Sequence, residues 1–268
     1  MSKDGAIRRF IAAFDLHFGW EYKYERGRRV MSPTHSTEAI RALMGFAKDF
    51  KPDVFILGGD QLNCGPVSHW LKGKPRMVEN FRLKEEMDLL EKHILAPVEQ
   101  VTEKVWLRGN HENWVEDIVT ENPGLEGLVE PENYLRLHER GWETYCQGEI
   151  YKLGKLHFIH GDVLSPGKYR AKRLVELYRR NIRCGHFHSY EAATDITPYD
   201  RKDFHTGIVV PAMARCNAAY MKNGVSNHHQ GFLYGWVAPD GTFTDHVMTI
   251  VNGKFIWNGK IYDGRKKV

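Results

Sequence analysis

The chain lacks any apolar run near the ~18–20 residues that a membrane-spanning helix needs. Its start, "MSKDGAIRRFIAAFDLHFG", lacks a signal-peptide shape, because the short apolar patch runs straight into Asp15 and His17. Both absences predict a cytoplasmic protein without a membrane partner. Cysteine is scarce. Cys64, Cys146, Cys184 and Cys216 are widely spaced with no C-x-x-C, which argues against a disulfide framework and for four reduced thiols. No repeat, low-complexity tract or Pro/Gly/Ser-rich linker divides the 268 residues, so one domain over 1–268 is expected. Strong net charge is absent too. A balance of +4 permits an anionic substrate or nucleic acid without demanding either, and no feature fixes an oligomeric state.

What the chain has is strand–helix alternation and 14 histidines. "RFIAAF" (9–14), "DVFILGGD" (53–60) and "KVWL" (104–107) read as buried strands. "STEAIRALMGFAKDF" (36–50) places Ile40, Leu43, Met44, Ala47 and Phe50 at helical spacing, with Ser36 or Thr37 as its cap. Leu83, Met87, Leu90 and Ile94 stripe a second long helix that Pro97 would end. "IYKLGKLHFIHGD" (150–162) reads as two strands around a Gly turn, followed by a basic helix at about 168–181. The tail carries P-D-G and two N-G dipeptides between β-rich runs, predicting antiparallel hairpins over about 204–262. The alternation predicts an α/β fold. The stretch "WEYKYERGRRVMSPTH" (20–35) reads as a loop that could rim a pocket.

One event recurs along the chain: an apolar strand runs into a polar, Gly-flanked cluster. The clusters are "FDLHFG" (Asp15, His17), "LGGDQLN" (Asp60, Asn63), "LRGNHE" (Asn110, His111, Glu112), "FIHGD" (His160, Asp162) and "CGHFHS" (His186, His188). In open α/β sheets, ligands bind at the carboxyl ends of strands, so these clusters would converge on one crevice. Two carboxylates, an amide oxygen and four imidazoles make an N/O donor set suited to Mn, Fe, Zn, Co or Ni. Seven donors are too many for one tetrahedral ion. They fit two ions that share a bridging carboxylate, about 3.5–4 Å apart.

The ordered set D-x-H, G-D, G-N-H-E, H-G, G-H-x-H resembles the calcineurin-like metallophosphoesterase superfamily over residues 15–188. The resemblance implies a four-layer α/β/β/α sandwich with mixed sheets and two divalent ions, manganese foremost, with Fe, Zn, Ni or Co also compatible. It implies that Asp15, His17 and His188 hold one ion, that Asn110, His160 and His186 hold the other, and that Asp60 bridges them. It further implies hydrolysis of a phosphoester by a metal-bridging hydroxide. His111 would protonate the leaving oxygen, and Glu112 would orient His111.

Arg108 in "LRGNHE" matches the protein-phosphatase version of the motif, in which the Arg clamps phosphate. The partner motif "GDxxDRG" of that branch reads "GDQLNCG" here, with Cys64 in place of the Arg. The closing G-H-x-H looks instead like the SbcD-type nuclease and cyclic-nucleotide phosphodiesterase branches, although "GIVVPAMARCN" (207–217) replaces their N-P-G-S turn. The expected reaction is therefore phosphodiester hydrolysis, with nucleic acid as a candidate substrate. Two alternatives stand beside it: a phosphomonoesterase using Arg108, and a catalytically inert binding module. The segment 168–183 carries seven Lys and Arg against one Glu and could follow a nucleic-acid backbone. His69, in "GPVSHWLKG", could reach substrate from a lid near Asp60, and exposed Trp70 and Trp114 could stack bases. His228 and His229 lie outside every motif, and His35, His93 and His138 read as surface or half-buried.

Overall fold

The structure, a computed structural model, describes residues 5–165, 167–197, 199–219 and 226–266. In chain order the strands and α-helices are β1 (Arg8–Ala13), β2 (Trp20–Glu25), β3 (Arg28–Pro33), α1 (Thr37–Phe50), β4 (Val54–Leu57), α2 (Leu83–Leu90), β5 (Glu103–Leu107), α3 (Asn110–Glu121), α4 (Pro131–Tyr134), β6 (Trp142–Tyr145), β7 (Tyr151–Leu153), β8 (Leu156–Ile159), α5 (Arg170–Tyr178), β9 (Asn181–Cys184), β10 (Glu191–Thr197), β11 (Asp200–Val209), β12 (Gln230–Val237), β13 (Phe243–Ile250), β14 (Lys254–Trp257) and β15 (Lys260–Asp263).

Two mixed sheets face each other. The first runs β13-β12-β1-β4-β5-β6, parallel from β1 to β6 and antiparallel at β12 and β13. The second runs β10-β11-β9-β8-β7, parallel only across β11-β9-β8. Strands β1, β4 and β5 are continuous apolar runs because both of their faces are covered. Phe10, Ala12, Val54, Ile56 and Val105 meet Leu153, Leu156 and Phe158 between the sheets. Ile11, Ala13, Phe55, Leu57 and Trp106 face the other way, onto α1 and the α2 region. Beyond the second sheet, Ile159, Ile182 and Val209 pack on Ala171, Leu174 and Val175 of α5. The layers are thus α/β/β/α, as expected. Among the described residues no helix is long and apolar enough to cross a membrane.

Helix α1 starts where expected: the Ser36 hydroxyl accepts from Ala39 N at 3.3 Å, and Lys51 ends it in a left-handed conformation. The second long helix differs from expectation. It is α-helical only to Leu90, then widens into a π-turn, Glu91–Leu95, that buries both Ile94 and Leu95. The expected loop at 20–35 is a hairpin, β2–β3, closed by Arg26 and Gly27, both at positive φ. The basic helix is shorter than expected, because Tyr169 and Arg179 bound it in left-handed conformations. Arg183 therefore lies on β9, buried, with its guanidinium bidentate on Asp245 (Nε 2.5 Å, second nitrogen 3.0 Å). In the tail, β12–β13 and β14–β15 are the expected hairpins, the latter turning at Asn258 and Gly259. Strand β11 pairs antiparallel with β10 but parallel with β9.

Candidate metal centre

Beyond the ends of β1 and β4 the backbone pairing does not stop. Asp15 N donates to Gly59 O (3.0 Å), His17 N to Asp60 O (2.9 Å) and Phe18 N to Gln61 O (2.8 Å). This continued pairing holds the two loops side by side and brings Asp15, His17 and Asp60 together. Asp15, His17, Asp60, His186 and His188 all have positive φ, between 49° and 68°. Non-glycine residues there cost local energy and persist only where surrounding structure over-determines them. Side chains supply that determination. The Asp15 carboxylate accepts from His186 N (2.8 and 3.0 Å), and Asp60 Oδ1 accepts from His111 N (2.9 Å).

The structure brings the seven expected donors together. Asp15, His17 and His188 form one tight group, Asp60, His160 and His186 form another, and His17, Asp60 and His111 form a third. His160 Nε2 also lies 3.2 Å from Asn110 Oδ1. A single oxygen, Asp60 Oδ2, stands 3.2 Å from His160 Nε2, 3.8 Å from His17 Nε2 and 3.8 Å from His111 Nε2. All but Asn110, His186 and His188 are buried. Glycine makes the approach possible at Gly109, where a Cβ would stand 2.2 Å from Asp60 Oδ1.

The donor chemistry fits cations. His17 Nε2 and His188 Nε2 face each other at 3.1 Å, flanked by carboxylates, an arrangement that a shared cation reconciles. The His160 Nδ1–H donates to Gly58 O (3.1 Å), which makes Nε2 the nitrogen that faces Asp60 and Asn110. His186 Nδ1 is buried without a hydrogen-bond partner among the described residues, as befits a nitrogen reserved for a metal. Electrostatics agree. Burial would raise the Asp60 carboxyl, but the imidazoles of His160 and His111 hold it well below the usual range. Burial would lower His160, yet the Asp60 charge lifts it to about 10, so a positive charge is favoured at this spot. Burial, then the nearby His111, pushes His17 well down.

Around the cluster four expectations need correction. Glu112 does not hold His111. Its carboxylate accepts from Asp60 N (3.0 Å), Leu62 N (2.9 Å) and Gly109 N (2.9 Å), and so ties the Asp60 loop to the start of α3. Burial and the Asp60 charge push its carboxyl up to about 8. His111 is held instead by Asn63, whose carbonyl is 2.7 Å from Nδ1, and by the face of Trp114, 4.0 Å away between centroids. Trp114 is thus buried and not available to a base. Arg108 is not free to clamp phosphate: its Nε donates to Glu132 at 2.6 Å and a terminal nitrogen to Glu116 at 2.8 Å. In segment 168–183 much of the charge is matched, Arg170 by Glu191, Lys172 and Arg179 by Asp195, and Arg183 by Asp245.

His69 sits on an exposed turn outside the donor cluster, edge-on to Trp114 at 5.1 Å. His228 packs its ring on His188 at 4.9 Å, a neighbour of the centre that no motif signalled. His35 is buried, with its ring on Phe18 at 4.8 Å, in place of the surface or half-buried position expected.

The family profile of calcineurin-like phosphoesterases matches residues 9–210. Among solved structures, a metallophosphoesterase from Sphaerobacter thermophilus is 15% identical, with 89% of this chain and 87% of that one covered and a TM-score of 0.39. The NAD nucleotidase of Haemophilus influenzae is 11% identical (92% and 50% covered, TM-score 0.38). A 5'-nucleotidase precursor from Thermus thermophilus is also 11% identical (91% and 55% covered, TM-score 0.38), so the chain spans about half of each nucleotidase. A search of curated protein sequences gave no match. With the profile spanning most of the chain, from the start of β1 past the last clustered histidine, this protein belongs to the calcineurin-like phosphoesterase family.

Proposed function

We propose that the chain hydrolyses a phosphodiester with two divalent ions, manganese foremost, held by Asp15, His17 and His188 on one side and Asn110, His160 and His186 on the other. The observation that carries this reading is Asp60 Oδ2, one carboxylate oxygen poised between imidazoles of both donor groups. When bound, the ions would supply an activated water and neutralise phosphate charge. The chain's own residues do the rest. His111 gives its Nδ1–H to the Asn63 carbonyl, so a second proton, taken up to form the imidazolium, would sit on Nε2, on the Asp60 side, and is the one delivered to a leaving oxygen. Trp114 fixes the plane of that ring, and Glu112 fixes the loop that carries Asp60.

The choice of diester over monoester rests on Arg108. A monoester dianion calls for more positive charge around the phosphate than a diester monoanion, and Arg108 is already engaged by Glu116 and Glu132. The test strips the protein of metal, restores Mn²⁺, and compares initial rates on an aryl phosphodiester and its matching monoester. A diester preference is expected. A monoester preference would overturn the reading and imply that Arg108 leaves its carboxylates when substrate binds. No turnover of either, with both ions bound, would leave only a binding module.

A further inference from the structure

Four rings form a chain that leads away from the centre. His111 lies on Trp114 at 4.0 Å, Trp114 meets His69 at 5.1 Å, and His69 meets Trp70 at 4.6 Å. The last ring, Trp70, is 70% exposed. Its turn is nonetheless anchored on both sides. Ser68 N bonds Gly65 O, Lys74 Nζ bonds the Trp70 carbonyl at 3.0 Å, and the β2–β3 hairpin holds the far end through Arg29 on Arg76 O (2.6 Å) and Glu79 (2.5 Å). An indole is thus presented to solvent from a braced support that connects to His111 through His69 and Trp114.

A second observation concerns charge. In "HWLKGKPR" (69–76), Lys72, Lys74 and Arg76 flank this indole, and none has a carboxylate partner among the described residues. Among the described residues, segment 168–183 keeps Lys168, Arg173 and Arg180 without a carboxylate partner beside exposed Tyr169, but Arg170, Lys172, Arg179 and Arg183 are neutralised by Glu191, Asp195 and Asp245, and no ring contact links Tyr169 to His111 as Trp70 is linked. Unmatched cations beside an exposed aromatic are the combination that single-stranded nucleic acid requires: the indole stacks on a base, and the cations follow the phosphates.

From this we infer that residues 69–76, and not the basic segment 168–183, form the binding surface of the diesterase for a single-stranded nucleic acid, with Trp70 stacking the base on the leaving-group side. The inference rests on the diesterase reading above, and its test separates the two. The Mn²⁺-loaded full chain is titrated into a fluorescein-labelled oligothymidylate with phosphorothioate linkages, which keep the charge and slow hydrolysis, and anisotropy is read at several salt concentrations. Trp70→Ala should weaken binding by about 5- to 100-fold, and Trp70→Phe should restore most of it. Lys72→Ala with Arg76→Ala should flatten the salt dependence by about 0.7 per lost contact. Lys168→Ala with Arg173→Ala should change neither. Loss of binding in this last variant with retention in Trp70→Ala would overturn the assignment, as would absence of binding by the parent. If Trp70→Ala loses the oligonucleotide while the parent fails to turn over the aryl diester, the surface stands and the catalytic reading falls. If the diester is turned over and Trp70→Ala binds as the parent does, the reverse holds.

Discussion

Gly109→Ala tests the place proposed for the Asp60 carboxylate between the two donor groups. Gly109 has φ −96° and ψ −175°, extended backbone that alanine adopts freely, so the substitution strains nothing locally. Its Cβ, however, would stand 2.2 Å from Asp60 Oδ1, 2.4 Å from Asp60 N and 2.9 Å from Asp60 Cγ, where ordinary contact begins near 3.4 Å. The carboxylate must retreat by more than an ångström. It cannot take its backbone with it cheaply, because Asp60 N is bonded to Glu112 at 3.0 Å. Asp60 lies between both donor groups, so its displacement should weaken both ions together, each by at least the 10–100-fold seen when a supporting group is lost. Turnover should fall by about 10²-fold or more, the cost of an ångström of misplacement at a reacting centre. Stability should drop too, by about 2–4 kcal/mol, because alanine at a helix cap costs about 1 kcal/mol and the overlap with Asp60 N, a backbone atom, adds the ~1–3 kcal/mol of an overpacked site. Gly45→Ala is the control: Gly45 lies inside α1, its Cβ would meet nothing nearer than 3.7 Å, and it should add up to about 1 kcal/mol of stability with metal binding unchanged. The assay is calorimetric titration of Mn²⁺ into stripped protein, beside a thermal melt and the diester rate. If Gly109→Ala binds two ions with the parent's affinity and turns over at its rate, the role given to Asp60 is wrong. A collapse of the melt by tens of degrees would show that centre and fold are not separable here.

Other outcomes follow from single groups. His111→Ala should keep both ions by elemental analysis and slow diester turnover by about 10²–10⁴-fold; loss of an ion would make His111 structural. Arg108→Ala should leave KM for a phosphoester within about twofold, because the guanidinium is engaged elsewhere, and a hundredfold rise would restore it as the clamp. Glu86 is buried, accepts from Cys64 N at 2.6 Å, and is pushed up to about 8 by that burial. The folded state therefore holds a proton that the unfolded chain, near 4.5, releases earlier. Stability from this group is full below 4.5 and is lost as pH rises through about 8, by up to about 1.4 kcal/mol per pH unit. Urea melts should show a shallower slope in Glu86→Gln than in the parent, the remainder coming from Glu112, whose carboxyl is raised likewise; parallel pH profiles would refute it. Chelation should lower the melting temperature by an amount that returns with added Mn²⁺, since ions bound only by the folded state stabilise it; an unchanged melt would mean no ion was held.

The sandwich was legible where burial is two-sided. β1, β4 and β5 are unbroken apolar runs because one face meets α1 and the other meets the second sheet, and no other environment favours such a run beside a turn. The β2–β3 hairpin was not legible. Its strands are mostly solvent-facing, its charges hide the alternation, and its turn is Arg-Gly, which imitates the geometry of Asn-Gly without its signature. The basic helix was overrun for the opposite reason. Lys and Arg are good helix formers, so "YRRNIR" reads as helical, but Arg183 is needed on β9 to meet Asp245, and tertiary pairing outweighs local preference.

At the centre, side-chain identity was legible and its backbone support was not. Seven donors in five short motifs can be read from residue types alone, because metal chemistry selects those types. The group that holds His111 cannot. It is the carbonyl of Asn63, and every residue has a carbonyl, so only the fold says which one faces the ring. Glu112 misled for a related reason. Adjacent in sequence to His111, it points along the helix start to collect N–H groups from Asp60, Leu62 and Gly109, because the first turn of a helix leaves donors unsatisfied and a carboxylate three residues in can reach back to them. The left-handed conformations of Asp15, His17, Asp60, His186 and His188 are hidden in the same way. No local preference of Asp or His demands them. They follow from the ladder between the β1 and β4 loops and from the grip of Asp15 on His186 N. The strain therefore sits in the residues that would bind metal, and its compensation sits partly in backbone bonds between the β1 and β4 loops and partly in the Asp15 carboxylate that accepts from His186 N. That division predicts that Asp15→Asn, which keeps an acceptor for His186 N, preserves the loop and loses the ion, whereas Asp15→Ala loses both.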